Sequence, residues 1–311
     1  MNVFITGIDG FVGGHLGAFL VEQGCRVLGI GITDPTKIGG DYSYAQLDIC
    51  DEHSLGKTIA DFHPDLIFHL AAISFVPEAQ ENPHKAVSVN VTGGINVLEC
   101  VAKFVPRSKV IVISTGEVYG IVSPDELPLG EDHPIKPANV YATTKASLEL
   151  FSSLYVFRNN TDAVLLRPFN HIGPGQSPRF VTSDFAKQIA AIEKGIQSPE
   201  LLVGNLDVIR DFTDVRDIVK AYYLASKDCE RGEVYNIASG KGVKISEILE
   251  ILLSLTDKKI TITQDTTKFR EAEVPAFIGD YSQFHKVTGW RPEIGLKQTL
   301  QDILDYWRER V

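Results

Sequence analysis

Val3-Phe4-Ile5-Thr6-Gly7-Ile8-Asp9-Gly10-Phe11-Val12-Gly13 decides the fold. Val3 to Ile5 reads as a short apolar strand, Gly7 to Gly13 as a glycine turn, and the residues through about Gln23 as an amphipathic helix. Glycines at this spacing allow a tight turn, close approach of backbone to a pyrophosphate, and close packing of helix on strand. The helix start adds free N–H groups and a partial positive charge that suit phosphate. A glycine pattern by itself is often only a turn. Set between a strand and a helix, this one points to a dinucleotide site built from Gly7, Asp9, Gly10, Phe11, Val12 and Gly13.

Working outward, strand and helix patterns alternate without hairpin signals through Arg167, which predicts an α/β fold with a Rossmann-type doubly wound parallel sheet. Residues 1–166 are expected to form the dinucleotide-binding domain, with 208–238 partly returning to it, and 167–311 a smaller, interleaved α/β substrate-binding domain. The second strand, Arg26 to Gly31, ends in glycine rather than in the acid that grips an adenosine ribose in NAD sites. Without a carboxylate at that tip the balance tips toward NADPH, with NADH left open because only Lys37 stands nearby and Asp34 can curl back. Asp48, followed by Ile49, can accept from the adenine amino group or cap the next helix. Asp65 to Leu70 reads as a buried strand, after which Leu70, Ala71 and Ala72 are slim enough for a cofactor to lie against backbone. Asn90 is expected either to cap the helix from Val91 to Phe104 or to brace the active site.

Chemistry concentrates between Ser114 and Lys145. Thr115 follows the apolar run Val110 to Ile113, and Tyr141-Ala-Thr-Thr-Lys145 opens a helix capped by Asn139. Residues four apart share a helix face, so Tyr141 and Lys145 enter one cleft. An ammonium beside a phenol is expected to favour phenolate and bring the phenol into working range. Thr115 can then bond the reacting oxygen, and the set suits proton transfer to or from a carbonyl or alcohol while hydride moves. The stretch from Pro124 to Pro137 reads as a loop over that cleft. Beyond it, Phe180 to Lys194 and the run opened by Val208 to Asp217 read as helices, and Glu233 to Ile237 as a strand.

The 311 residues carry 44% hydrophobic and 23% charged side chains, ordinary values for a folded globular chain. A formal net charge of −10 argues against nucleic acid and against anionic membrane surfaces. Four cysteines show no close pairing and eight histidines form no metal spacing, so neither disulfide nor metal is expected. With no basic leader before the first strand and no apolar run of spanning length, a cytoplasmic location is expected.

Thr115, Tyr141-x-x-x-Lys145, the three glycines, Asn90, Arg167-Pro168-Phe169-Asn170 and Arg210-Asp211 together resemble the extended short-chain dehydrogenase/reductases that act on nucleotide sugars. The runs 167–176, 210–217 and 288–292 look like those of the GDP-4-keto-6-deoxymannose reductases, which make GDP-rhamnose. The resemblance implies hydride delivery from NADPH or NADH to C4 of the keto-sugar, with Tyr141 as proton donor, Lys145 on the nicotinamide ribose and Thr115 on the carbonyl oxygen. It also implies Pro168 beside the cofactor, and Ser74, Asn170, Arg179, Lys187, Arg210, Arg270 and Glu273 around a GDP-sugar, with Asp184 reading guanine. Related 4,6-dehydratases place an acid or serine before the glutamate; here Gly116 precedes Glu117, which weakens elimination. A homodimer through the helices that begin near Asn90 and Tyr141 is expected, with Leu148, Phe151 and Leu154 facing a partner or the core.

Overall fold

The computed structural model of the chain describes residues 1–265 and 274–311. Its strands in chain order are β1 (Asn2–Thr6), β2 (Arg26–Gly31), β3 (Ser43–Gln46), β4 (Leu66–His69), β5 (Lys109–Ile113), β6 (Asp162–Pro168), β7 (Asn170–Ile172), β8 (Glu200–Val203), β9 (Ile209–Asp214), β10 (Val234–Ile237), β11 (Gly242–Lys244), β12 (Thr261–Gln264) and β13 (Ala276–Phe277). Seven of them form one sheet in the order β10-β6-β5-β4-β1-β2-β3, every pairing parallel. The strand order reverses between β1 and β4, and the crevice beyond their carboxyl ends is where such a sheet takes a ligand.

The helices are α1 (Phe11–Glu22), α2 (Glu52–Phe62), α3 (Val76–Glu81), α4 (Pro83–Val87), α5 (Gly94–Phe104), α6 (Val140–Asn159), α7 (Val181–Glu193), α8 (Val215–Asp228), α9 (Ile245–Leu253), α10 (Ser282–Thr288) and α11 (Leu296–Arg308). One face of the large sheet packs under α1 and α8 through Leu16, Leu20, Ile218 and Tyr222. The other packs under α2, α5 and α6 through Leu55, Ile59, Val97, Val101 and Leu148. Strands covered on both faces read as unbroken apolar runs rather than as alternations, as Phe4-Ile5 and Ile67-Phe68 do, all without exposed surface.

The smaller layer centres on β9, which pairs antiparallel with β11 and parallel with β7 and β13, while β8 and β12 make a separate parallel pair. Its core joins α7, α9 and α11 through Phe185, Ile189, Ile248, Leu252, Leu300 and Ile303. The run from Val208 to Asp217 is therefore strand first and helix second: β9 stops where the Asp214 carboxylate accepts from the Arg216 N–H at 2.8 Å and caps α8. α8 and β10 lie with the large sheet, and α10 joins them, because Phe284 and Trp290 are buried in the same core as Ile218 and Tyr222. The Pro124 to Pro137 stretch is tied down beside the sheet edge: Leu129 is fully buried, receives Asp280 N–H on its carbonyl and donates to Ile278. No helix of the described residues is long and apolar enough to cross a membrane.

Candidate active site

The glycine loop is tight for a reason visible in its clearances. A Cβ at Gly13 would stand 2.2 Å from the Gly7 carbonyl oxygen, and one at Gly7, where φ is +72°, would stand 2.8 Å from the Ala71 backbone. α1 starts at Phe11 with Gly10 as its cap and no side-chain acceptor there, so its first N–H groups face the crevice. Thr6 and Ala71 tie the two strand ends together, the Ala71 N–H donating to Thr6 Oγ1 at 3.2 Å. Leu70, Ala71 and Ala72 are half-buried along this edge, Val12 packs into the core below it, and Phe11 stacks on His171 at 6.2 Å between ring centres. A cradle that a single methyl group would fill, opening on a helix N-terminus, fits a dinucleotide pyrophosphate.

At the tip of β2 the structure corrects the sequence reading. A carboxylate does stand there, supplied by the glycine loop: Asp9 Oδ2 accepts from the N–H groups of Ile32 and Thr33, both at 3.0 Å. A Cβ at Gly31 would fall 2.0 Å from Asp9 Oδ1, so the missing side chain is what makes room for the acid. Farther along, the cap of α2 is Asp51, which accepts from Ser54 N–H at 3.1 Å, while Asp48 is exposed and turns onto Cys50 N–H at 2.9 Å. Ile49 is buried; its side chain packs on Gly93 and its carbonyl accepts from Asn96.

Thr115 caps a short 3-10 turn that follows β5, accepting from Glu117 N–H at 3.2 Å, and its hydroxyl faces the Tyr141 phenol closely enough to favour the phenolate. Asn139 does two jobs with one amide: its oxygen caps α6 at Ala142 N–H, 2.8 Å, and its nitrogen donates to Glu117 Oε2, 2.8 Å. Thr115, Glu117, Tyr141 and Lys145 are thereby brought to one place. Tyr141 is held protonated, first by burial and then by the negative charge of Glu117, against the opposing bond from Thr115. In the free protein burial and the Glu117 carboxylate thus move the phenol in the direction opposite to the tuning expected from Lys145. Lys145 is buried, and desolvation brings its ammonium down to about 8 while Glu149 opposes. A protonated phenol beside a hydroxyl is an acid ready to give its proton to an emerging alkoxide.

Asn90 is a brace and not a cap. It lies inside a π-helical turn, Ser88–Gly93, accepts from Ile73 N–H at 2.8 Å, and donates to the Ile73 carbonyl at 3.1 Å and to Thr144 Oγ1 at 2.9 Å. It ties the loop after β4 to the helix that carries Tyr141. Beneath, His69 bonds Thr6 Oγ1 through Nδ1 at 2.8 Å and stays neutral, with burial pulling it down to about 3. A second buried knot went unseen in the sequence. Arg167 Nη2 lies 2.7 Å from Glu149 Oε2, Arg167 Nη1 donates to Tyr119 OH at 3.0 Å, and Ser114 Oγ also bonds Glu149. Glu149 stands one turn beyond Lys145, at the i+4 spacing that would have flagged it.

The expected substrate residues are more scattered. Pro168 ends β6, buried; Asn170 begins β7, exposed; Ser74 is exposed on the loop between β4 and α3. Arg210 reaches back along β9 to donate to the carbonyls of Ile209 and Val274, each at 2.8 Å. Arg179 pairs with Glu78 at 3.0 Å and covers the Phe75 ring at 5.3 Å, bridging α3 and the turn before α7. Lys187 is exposed on α7, its ammonium 5.3 Å over the ring of Trp307, whose indole N–H bonds Ser183 one turn earlier. α7 packs on α11. Asp184 is half-buried in the first turn of α7. Arg270 and Glu273 lie outside the described residues.

Gly116 is crowded by a neighbouring ring that a side chain there would have to displace slightly. A Cβ there would meet three carbons of the Phe169 ring at 3.0–3.1 Å, and that ring is itself stacked on Phe277 at 5.0 Å.

Comparison with known proteins agrees with this geometry. The family model described as GDP-mannose 4,6 dehydratase matches residues 4–303. GDP-6-deoxy-D-mannose reductase of Pseudomonas aeruginosa is 36% identical over 310 residues, covering 100% of this chain and 98% of that protein. A solved structure of RMD from Pseudomonas aeruginosa complexed with NADPH superposes with a TM-score of 0.87 at 35% identity, covering 100% of this chain and 99% of that one. UDP-glucose 4-epimerase from Thermotoga maritima with UDP-glucose gives a TM-score of 0.90 at 26% identity, with 99% of each chain covered.

Proposed function

The chain belongs to the GDP-mannose 4,6 dehydratase family of extended short-chain dehydrogenase/reductases, and from that premise we propose that it reduces the C4 ketone of GDP-4-keto-6-deoxy-D-mannose to GDP-D-rhamnose. The observation that carries this reading is the Tyr141 phenol facing the Thr115 hydroxyl, one helical turn from a buried Lys145, in a chain whose glycine loop leaves room for backbone alone at the start of α1. Bound there, NADPH or NADH would supply the hydride. Thr115 holds the ketone oxygen, Tyr141 gives that oxygen its proton, and Lys145 holds the nicotinamide ribose and restores the phenol. Asn90 keeps the helix and the loop after β4 in register. The large sheet carries the cofactor, the smaller layer the nucleotide sugar, with Asn170 and Arg210 toward the diphosphate.

Elimination, the reaction for which the family model is named, is the rival reading, and Glu117 would suit it as a base. It lacks a proton-bearing neighbour at Gly116, where a side chain would press on the Phe169 ring. The test is direct. Protein mixed with the keto-sugar and either NADPH or NADH should consume nicotinamide absorbance; no consumption with either cofactor overturns the assignment, and turnover of GDP-mannose without net cofactor loss would make it a dehydratase.

Protonation state gives a second check. In the free protein Lys145 loses its proton near pH 8 while Tyr141 keeps its own. The kcat/KM for the cofactor should therefore fall as pH rises through about 8, and Lys145→Arg, which stays charged, should remove that limb while lowering activity. An unchanged alkaline limb in the arginine variant would sink the role given to Lys145.

The protein acts as a homodimer in this reading. Leu150, Leu154 and Phe157 are 71%, 42% and 88% exposed along one stripe of α6, with Phe151 beside them, whereas Leu148 belongs to the core. Phe104 of α5 and Val87 of α4 extend the patch. An exposed apolar stripe on α6 suits a second copy of the chain. Phe157→Asp should turn a dimer by light scattering into a monomer, and a wild-type chain that runs as a monomer at micromolar concentration would reject the assignment. Four unpaired thiols support a reducing, cytoplasmic setting.

A further inference from the structure

We propose that Asp9, from the glycine loop, is the residue through which this chain weighs NADH against NADPH; the inference rests on the cofactor reading above. In a doubly wound sheet the end of the second strand is where the adenosine ribose is read, usually by an acid that the strand itself supplies. Here the strand supplies Gly31, and the acid arrives from the side. Asp9 Oδ2 takes both backbone donors just beyond the strand, Ile32 N–H and Thr33 N–H at 3.0 Å, and Oδ1 lies over the bare α-carbon of Gly31, 2.0 Å from where a Cβ would sit. The turn is fixed from below as well: Tyr44 OH donates to the Thr33 carbonyl at 2.7 Å and Gln46 Nε2 to the Ile32 carbonyl at 3.0 Å.

Two consequences follow for a ligand at this spot. A ribose 2′-hydroxyl is a donor, and Asp9 Oδ1 is positioned as an acceptor for it. A 2′-phosphate is a dianion-like group that needs N–H donors or cations. It would find the two donors taken by a carboxylate, with Asp34 a few residues on capping the next turn at Thr36 N–H, 2.9 Å. Among the described residues no hydrogen bond or ion pair brings a lysine or arginine to Asp9 or to residues 32 and 33. Like charges set against each other without a cation discriminate strongly between partners.

The experiment separates charge from space. Asp9→Asn keeps an oxygen for the two N–H groups and removes the charge; Asp9→Ala removes the charge and also frees both donors for phosphate. Calorimetric titration with ADP-ribose and with 2′-phospho-ADP-ribose, which needs neither sugar substrate nor turnover, should show the ratio of affinities moving toward the phosphorylated ligand by about tenfold or more in Asp9→Asn and further in Asp9→Ala. The discrimination in the wild-type chain should shrink as salt is raised, as a charge effect does. A ratio that stays within about twofold in both variants overturns the proposal. Failure of the wild-type chain to bind either ligand would instead overturn the cofactor reading on which it rests, and a circular-dichroism melt of each variant reports whether the loop change has cost the fold.

Discussion

Tyr141→Phe is expected to lower turnover by about 10²–10⁴-fold while cofactor and nucleotide-sugar affinities change little. The substitution removes one oxygen and leaves the ring where it is. That oxygen lies beside the Thr115 hydroxyl and carries the proton assigned to the ketone, while Thr115, whose oxygen accepts from Glu117 N–H, keeps its own O–H to hold the ketone oxygen. In the free protein burial and the charge of Glu117 keep it protonated. A reductase wants its acid in that state when substrate arrives. Single-turnover measurement of nicotinamide absorbance, with binding followed separately by calorimetry, distinguishes loss of the acid from loss of binding. A variant that turns over at the wild-type rate would show that the proton comes from elsewhere, and the assignment of Thr115 and Lys145 would fall with it.

Arg167→Met should cost about 3–5 kcal/mol of folding stability, the largest loss expected from any single side chain near the site. Arg167 and Glu149 meet at 2.7 Å with each side chain only 5% exposed. Removing the guanidinium leaves a buried carboxylate with Ser114 as its hydrogen-bond partner and the Lys145 ammonium as the charge that still favours it, and also strips Tyr119 OH of a donor. The uncompensated charge is the source of the penalty, so pairing the change with Glu149→Leu should restore most of it. Denaturant midpoints for the two single variants and the double variant test this. A loss under about 1 kcal/mol for Arg167→Met, or no recovery in the double variant, would mean that the pair is not the anchor proposed here. Because Glu149 sits one turn beyond Lys145 on α6, the single variant should also loosen the helix that presents the acid.

Much of this was legible because it is local. The glycines of 7–13 lie between an apolar strand and a helix, and their spacing alone implies backbone packed too closely for side chains, which the 2.2 Å clearance at Gly13 bears out. The Tyr141 and Lys145 pairing follows from helical periodicity, and Asn139 as the cap of α6 from residue type and position. Where two local patterns competed, the reading faltered: Val208 to Asp217 has residues that suit strand or helix, and only pairing with β7, β11 and β13 decided for strand. That the Lys187 ammonium lies over the Trp307 ring, 120 positions away along the chain, is likewise beyond any local pattern.

What the chain's order of residues determined by itself is the parallel layered architecture, the dinucleotide cradle and the identity of the proton-transfer group, since each depends on neighbours within about one helical turn or one strand. Only the tertiary structure decided the charge state of Tyr141, the crowding of Gly116 by Phe169, the anchoring of Glu149 by Arg167, and the arrival of the Asp9 carboxylate over Gly31. Each of those joins groups distant along the chain, and electrostatics and close packing act through the few ångströms of space between atoms, whatever the number of residues that separates them.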